Sequence, residues 1–213
     1  MDIPFIDLDA QKKVIGKKLE YSIENVLQHK KFINGPEVFK FEESLTKFAN
    51  VNYAITCGSG TDALLLPLMA IGVGEGDAVF VPSFTFVATA EVVSLLNATP
   101  FFVDVDMQTF NIDPAKLRDA IIASKKMGLT PRVIIPVDLF GQPACYEEIN
   151  EIAKEFSLNV ISDAAQSFGA RQGDKSVGGL AHVTSTSFFP SKPLGCYGDG
   201  GAILTDNKKI YLK

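Results

Sequence analysis

Val133 to Ser162, VIIPVDLFGQPACYEEINEIAKEFSLNVIS, reads as a strand over Val133–Val137, a helix over Tyr146–Phe156 and a strand over Asn159–Ser162. Val133-Ile134-Ile135 is a continuous apolar run, as expected where helices cover both faces of a mostly parallel sheet. The same rhythm extends upstream. Strands are expected at Tyr53–Thr56, Ala78–Pro82 and Pro100–Val103, with helices at Asp62–Ile71, Thr85–Asn97 and Pro114–Lys126. Before them lie a helix from about Asp9 to His29 and, after the turn signal Asn34-Gly35-Pro36, an amphipathic helix carrying Val38, Phe41, Leu45 and Phe48. Downstream, a Gly-rich stretch, Val177 to Leu180, leads to two β-like runs, Val183–Phe188 and Gly201–Thr205. These flank Gly198-Asp199-Gly200-Gly201 and suggest a hairpin. The fold class is α/β, with a helical N-terminal segment over about residues 1–50.

The chain has 213 residues, 46% apolar and 21% charged, with a net charge of −5, which excludes a disordered or nucleic-acid-like composition. Cys57, Cys145 and Cys196 form no CxxC pair, so a reducing compartment is expected and a thiolate zinc site is not. With His29 and His182 as the only histidines, no metal site is expected. The start, MDIPFIDLDAQKK, is acidic where a signal peptide is basic, and the longest apolar run, Ala63 to Ile71, contains Pro67 and falls short of the roughly 18 residues of a membrane helix. A cytoplasmic protein with no membrane or nucleic-acid partner is expected.

Ligands of open parallel sheets sit at the carboxyl ends of strands. After the first strand, Cys57-Gly58-Ser59-Gly60-Thr61-Asp62 opens into a helix, whose free N–H groups favour a phosphate, although such a run is more often an ordinary cap. The Gly72, Gly74, Gly76 series has Asp77 where a dinucleotide fingerprint needs its last glycine, and reads as a turn. Pro82-Ser83-Phe84-Thr85-Phe86 places aromatics where a flat ring could stack, but with 16 Phe in the chain a core plug is the ordinary alternative. Asp163-Ala164-Ala165-Gln166 offers an acid able to hold a proton on a heterocyclic nitrogen and an amide for the same ring, while most aspartates so placed cap a helix. Lys192, between Ser187-Phe188-Phe189-Pro190-Ser191 and Pro193-Leu194-Gly195, is a lone lysine in an apolar, Gly/Pro-rich segment, a setting suited to a nucleophilic amine.

Together, SGT before a helix, PSFTF after a strand, DAAQSFGA and SFFPSKPLGCYGDGGA resemble the DegT/DnrJ/EryC1/StrS family of sugar aminotransferases, over essentially the whole chain. The resemblance implies the large domain of a fold type I pyridoxal-phosphate enzyme, a mostly parallel sheet sandwiched by helices. Lys192 would then be the catalytic lysine, holding pyridoxal 5'-phosphate covalently and moving the proton during transfer. Asp163 would pair with the pyridine nitrogen, Gln166 would bond the ring hydroxyl oxygen and Phe86 would stack on the ring. Gly60, Thr61 and Ser187 would hold the phosphate, and Ser191 and Phe32 would meet the sugar. PSKPLGCYGDGGA looks most like the family members that use UDP-2-acetamido-2-deoxy-3-oxo-glucuronate, with glutamate as amino donor, for surface polysaccharides such as the lipopolysaccharide O-antigen. The family pattern also implies a homodimer, and family members usually continue into a smaller C-terminal domain that is missing from these 213 residues. Three alternatives stand beside this reading, the first an aminotransferase for a different nucleotide keto sugar. A dehydratase relative would carry histidine in place of Lys192, and a remnant keeping only the large-domain fold would be non-catalytic.

Overall fold

The computed structural model describes residues 6–213, so the first five residues of the expected N-terminal helical segment lie outside the described residues. The chain divides into two units, Met1–Glu43 and Ser44–Lys213. In the first, α1 (Leu8–Ile15) and α2 (Lys17–His29) replace the single helix expected over Asp9–His29. Gly16, at φ 60° and ψ −144°, leaves the helical region and breaks it, a conformation that glycine reaches without a Cβ clash. His29 Nε2 lies 3.1 Å from Glu37 Oε1, at the start of α3 (Pro36–Ala49), which crosses the division.

The second unit alternates as expected: β1 (Tyr53–Cys57), α4 (Gly60–Ile71), β2 (Asp77–Pro82), α5 (Ala88–Leu95), β3 (Thr99–Val103), α6 (Pro114–Lys126) and β4 (Thr130–Ile134). A short 3-10 turn, Leu139–Gly141, precedes α7 (Tyr146–Phe156) and β5 (Asn159–Asp163). The two-residue strands β6 (Arg171–Gln172) and β7 (Lys175–Ser176) pair with each other, and β8 (Val183–Ser187), β9 (Gly201–Thr205) and α8 (Lys208–Tyr211) follow. The main sheet has the order β1-β9-β8-β5-β4-β2-β3. Only β9 runs against its neighbours, pairing antiparallel with β1 and β8, while the remaining pairs are parallel. The carboxyl ends of β1, β2, β5 and β8 therefore share one edge, where β9 begins.

Strand side chains alternate between the two faces, and both faces are apolar. Phe80, Ile134 and Val160 pack with Leu117 and Ile121 of α6 and Ile149 and Ile152 of α7. Val79, Val81, Val133, Ile135, Ile161 and Val183 pack on the other side with Leu64 and Leu68 of α4 and Val92 and Val93 of α5. Each such side chain contributes about 1.5–3 kcal/mol on full burial, so the continuous apolar runs fix a two-sided sheet. Among the described residues, no helix is long and apolar enough to cross a membrane.

In this unit three differences from the sequence expectation exceed a shift of one or two residues at an element end. α5 begins at Ala88 rather than Thr85, because Ser83 first donates its N–H to the Val103 carbonyl (2.8 Å) and the chain turns before it can coil. β4 is shifted towards Thr130, and Ile135–Val137 continue as a buried extension that meets β5 through a single bridge, Val137 to Asp163. The expected β8–β9 hairpin forms as an antiparallel pair, but residues 188–200 make a broad loop between the strands rather than a tight turn.

Candidate active site

A cavity of about 420 Å³ opens at the carboxyl edge of the sheet, and Gly60, Thr61, Phe86, Asp163, Gln166, Ser187, Ser191 and Lys192 all line it. Phe32 belongs to the N-terminal unit, in the segment after α2, where its side chain is exposed.

The cavity floor is the N-terminus of α4. Ser59 caps the helix in extended conformation, its Oγ accepting from the Asp62 N–H at 3.0 Å. The ordinary cap reading is therefore correct, and it leaves the first-turn amides of Gly60 and Thr61 without intrahelical acceptors at the positive end of the helix dipole. Two glycines allow the segments to converge here. A Cβ on Gly60 would lie 2.5 Å from Ser187 Cβ, and one on Gly201 would lie 2.2 Å from the Ser59 carbonyl oxygen. The start of α4 is thus pressed between the end of β8 and the beginning of β9, with the Ser187 hydroxyl beside it. Such a cradle of amides and a hydroxyl suits a phosphate.

Asp163 ends β5 and is buried. Its Oδ2 accepts from the Thr89 hydroxyl at 2.9 Å and its Oδ1 from the Ala165 N–H at 3.2 Å, while Thr89 shares a second hydrogen bond, 2.9 Å, with Thr85. The carboxylate thus caps a local turn and also faces the cavity. Burial pushes the Asp163 carboxyl above its usual range, while the Thr89 and Ala165 donors and the positive charge of Lys192 pull it down. A ligand cation on the cavity side would offset the burial and hold Asp163 ionised.

Gln166 lies one turn further on, with its Oε1 accepting from the Phe140 N–H at 2.7 Å, so its NH2 group is left as donor. Phe86 is 68% exposed and is no core plug, whereas Phe84 leans against Phe110 at 5.7 Å between ring centroids. Lys192 is half-buried on the loop between β8 and β9, in a turn closed by its own N–H to the Phe189 carbonyl at 2.8 Å.

Sequence reading missed Thr89, Phe189 and Val137. Phe189 and Val137 line the cavity, and Thr89 supports it from inside α5 with no local signal. Asp199, read only as part of a turn, lines the cavity as well. The Gly72–Gly76 segment is a turn, Gly72 closing α4 at φ 82° and the Gly74 N–H reaching Asp77 Oδ2 at 3.1 Å.

Residues 13–213 match the family model of the DegT/DnrJ/EryC1/StrS aminotransferase family. The UDP-2-acetamido-2-deoxy-3-oxo-D-glucuronate aminotransferase of Pseudomonas aeruginosa is 50% identical over 210 residues, 98% of this chain and 56% of that protein. A crystal structure of a DegT DnrJ EryC1 StrS aminotransferase from Brucella abortus superimposes with a TM-score of 0.96 at 50% identity, covering 98% of this chain and 56% of that one. The structure of NtdA from Bacillus subtilis with bound cofactor PMP gives a TM-score of 0.85 at 34% identity, over 98% of this chain and 46% of that one. The chain spans about half the length of the relatives it matches.

Proposed function

The chain belongs to the DegT/DnrJ/EryC1/StrS aminotransferase family, and from that premise we propose that it holds pyridoxal 5'-phosphate in the cavity and forms the cofactor-binding part of a sugar aminotransferase. The observation that carries this reading is the convergence of Lys192, Asp163, Gln166 and the α4 N-terminus on one cavity. The residues present fit the group, since the cradle at Gly60, Thr61 and Ser187 would be filled by a Cβ at position 60, and the buried Asp163, on which Lys192 already acts as a cation, lines the cavity where a protonated ring nitrogen would meet it. Bound there, the cofactor supplies an electron sink that allows an amino group to pass from an amino acid to a keto sugar.

In this reading Gly60 and Thr61 hold the phosphate through backbone N–H groups, and the Ser187 hydroxyl adds a further donor. Asp163 keeps a proton on the ring nitrogen, Gln166 donates to the ring oxygen, and Phe86 covers one face of the ring. Lys192 attaches the cofactor through Nζ and, once released, moves a proton at the reacting carbon. Ser191 contacts the sugar. The amino donor is glutamate and the acceptor is C3 of UDP-2-acetamido-2-deoxy-3-oxo-glucuronate, a reading supported by the 50% identity to the Pseudomonas enzyme. The whole protein would act in the cytoplasm as a homodimer, in surface polysaccharide synthesis.

Borohydride reduction of the chain after incubation with pyridoxal phosphate tests the cofactor reading, with peptide mass mapping of the label. Label on Lys192 is expected, with loss of the visible absorption band in Lys192→Ala. Label elsewhere or none overturns the reading and favours a non-catalytic remnant. For the substrate, the full-length protein with ¹⁵N-glutamate and a panel of nucleotide keto sugars should place the isotope fastest on the UDP-linked 3-keto sugar acid. Faster transfer to another sugar overturns that assignment.

A further inference from the structure

The partner of Gln166 is a backbone N–H, and the turn that carries it is held by a side chain remote in sequence. Asn111 is 4% exposed. Its Oδ1 accepts from the Leu139 N–H at 3.1 Å and its Nδ2 donates to the Gln142 carbonyl at 2.9 Å, so one amide spans both ends of the Leu139–Gly141 turn. Between those ends Phe140 sits at φ 57°, ψ 18°, a left-handed conformation that costs a bulky L side chain and persists only when its surroundings fix it. That conformation presents the Phe140 N–H to Gln166 Oε1 at 2.7 Å. Asp138, at the entrance of the turn, accepts from the Ala144 N–H at 3.0 Å and from the Ser167 hydroxyl at 2.7 Å, which ties the turn to the residue following Gln166.

A glutamine amide can present either its oxygen or its NH2 to a ligand, and rotation of the terminal group exchanges the two. A backbone N–H can only donate. The atom of Gln166 facing Phe140 must therefore be the oxygen, and the atom left for the cavity must be the donor. We propose that Asn111 is a positioning residue: by holding the Leu139–Gly141 turn it fixes the rotation of the Gln166 amide, so that the cavity offers N–H donors to an oxygen acceptor on the bound ring. The identity of that ring rests on the cofactor reading above, whereas the bracket itself is a property of the chain alone.

The test has two arms. In the ligand-free chain, amide hydrogen exchange should be slow at Phe140 in the wild type. In Asn111→Ala it should be faster at Leu139 and Phe140, with the β5 amides Val160 and Ile161 unchanged. Unchanged exchange at Phe140 overturns the proposal whether or not any cofactor binds. In the second arm, pyridoxal phosphate affinity is compared in Asn111→Ala, Gln166→Ala and the double variant. Loss of one hydrogen bond should weaken binding roughly 3–10-fold in Gln166→Ala. Asn111→Ala should weaken it by a similar or smaller factor. If Asn111 acts through Gln166, the double variant binds no more weakly than Gln166→Ala. Additive losses, or an unaffected Asn111→Ala, overturn the proposal. Absence of binding in the wild type sinks the cofactor reading and leaves the exchange arm to decide the bracket. Should Asn111→Ala fail to fold, Asn111→Asp keeps the acceptor for Leu139, removes the donor to Gln142, and must pass the same two comparisons.

Discussion

Two buried acids meet behind the cavity, and they are partnered differently. Asp163 faces the site, while Asp138 is fully enclosed and accepts from the Tyr146 hydroxyl (2.7 Å), the Ser167 hydroxyl and the Ala144 N–H. Its own N–H donates to the Asp163 carbonyl at 3.0 Å. Burial pushes the Asp138 carboxyl up to about 6 from its ordinary 3.8, the three donors opposing this and the charge of Asp163 adding to it. A carboxyl whose pKa rises on folding binds more protons folded than unfolded, so stability falls as pH climbs from about 4 to about 6. The loss should reach about 3 kcal/mol. Asp138→Asn keeps the volume and the oxygen that accepts from Ala144 and Tyr146, turns the contact with the Ser167 hydroxyl into one in which the amide NH2 donates, and cannot titrate. Relative to wild type, the variant should therefore gain about 2–3 kcal/mol of stability between pH 4 and pH 7 in urea unfolding. A stability difference that stays flat across that range would refute the assignment. The contrast with the sequence reading is physical. Asp163, Gln166 and Lys192 were legible because acid, amide and amine stand in short local motifs. Asn111 and Thr89 were not, because their roles exist only through partners distant in the chain, 28 residues away for Asn111 and Leu139 and 74 for Thr89 and Asp163.

At the level of elements, α4 shows how a local fault is made good by a neighbour. Pro67 lies inside the helix and has no N–H, so the carbonyl of Ala63, four residues earlier, loses its intrahelical donor. The Ser185 hydroxyl, from β8, donates to that carbonyl instead. Ser185→Ala should therefore strand a buried acceptor and cost about 1–3 kcal/mol. In a Pro67→Ala background, where residue 67 regains its N–H, the same change should cost clearly less, and equal costs in a urea-unfolding cycle would show that the hydroxyl is not the replacement donor. Gly201 makes a second test of the same region. A Cβ there would overlap the Ser59 carbonyl, so Gly201→Ala should lower stability by about 1–3 kcal/mol through overpacking and weaken phosphate binding at the displaced start of α4. Thermal melting and pyridoxal phosphate titration read the two effects, and a variant normal in both would mean that the loop tolerates the shift. Elements set by local chemistry were legible to the residue: α6 starts at Pro114 behind the capping Asp113, and α7 runs from Tyr146 to Phe156 as its pattern indicates. The Leu139–Gly141 turn and the β6–β7 pair were not legible. The turn is imposed by Asn111 across 28 residues, and two-residue strands have no periodicity to read.

Across the larger unit, six stretches remote in sequence reach one edge of the sheet: 59–64, 85–88, Val137, 163–166, 187–192 and 199–200. Parallel strands bring the ends of β1, β2, β5 and β8 together there, and the reversed β9 returns the chain to the same edge. A ligand that bridges these stretches binds the folded state and not the unfolded one, so it must stabilise the whole fold by mass action. Pyridoxal phosphate at about 100 times its Kd should add about 2.7 kcal/mol, a rise in Tm on the order of 5–10 °C for a body of this size. The comparison with pyridoxal, which lacks the phosphate, separates the two halves of the cavity. If the amides of Gly60 and Thr61 form the anchor, pyridoxal at the same concentration should raise Tm much less, although Lys192, Asp163 and Gln166 remain available to it. Lys192→Ala should retain part of the pyridoxal phosphate shift, because the phosphate cradle and Asp163 are untouched. Equal shifts for the two ligands in thermal melts would remove the phosphate from the α4 N-terminus, and with it the reason for the close approach of Gly60 to Ser187 and of Gly201 to Ser59.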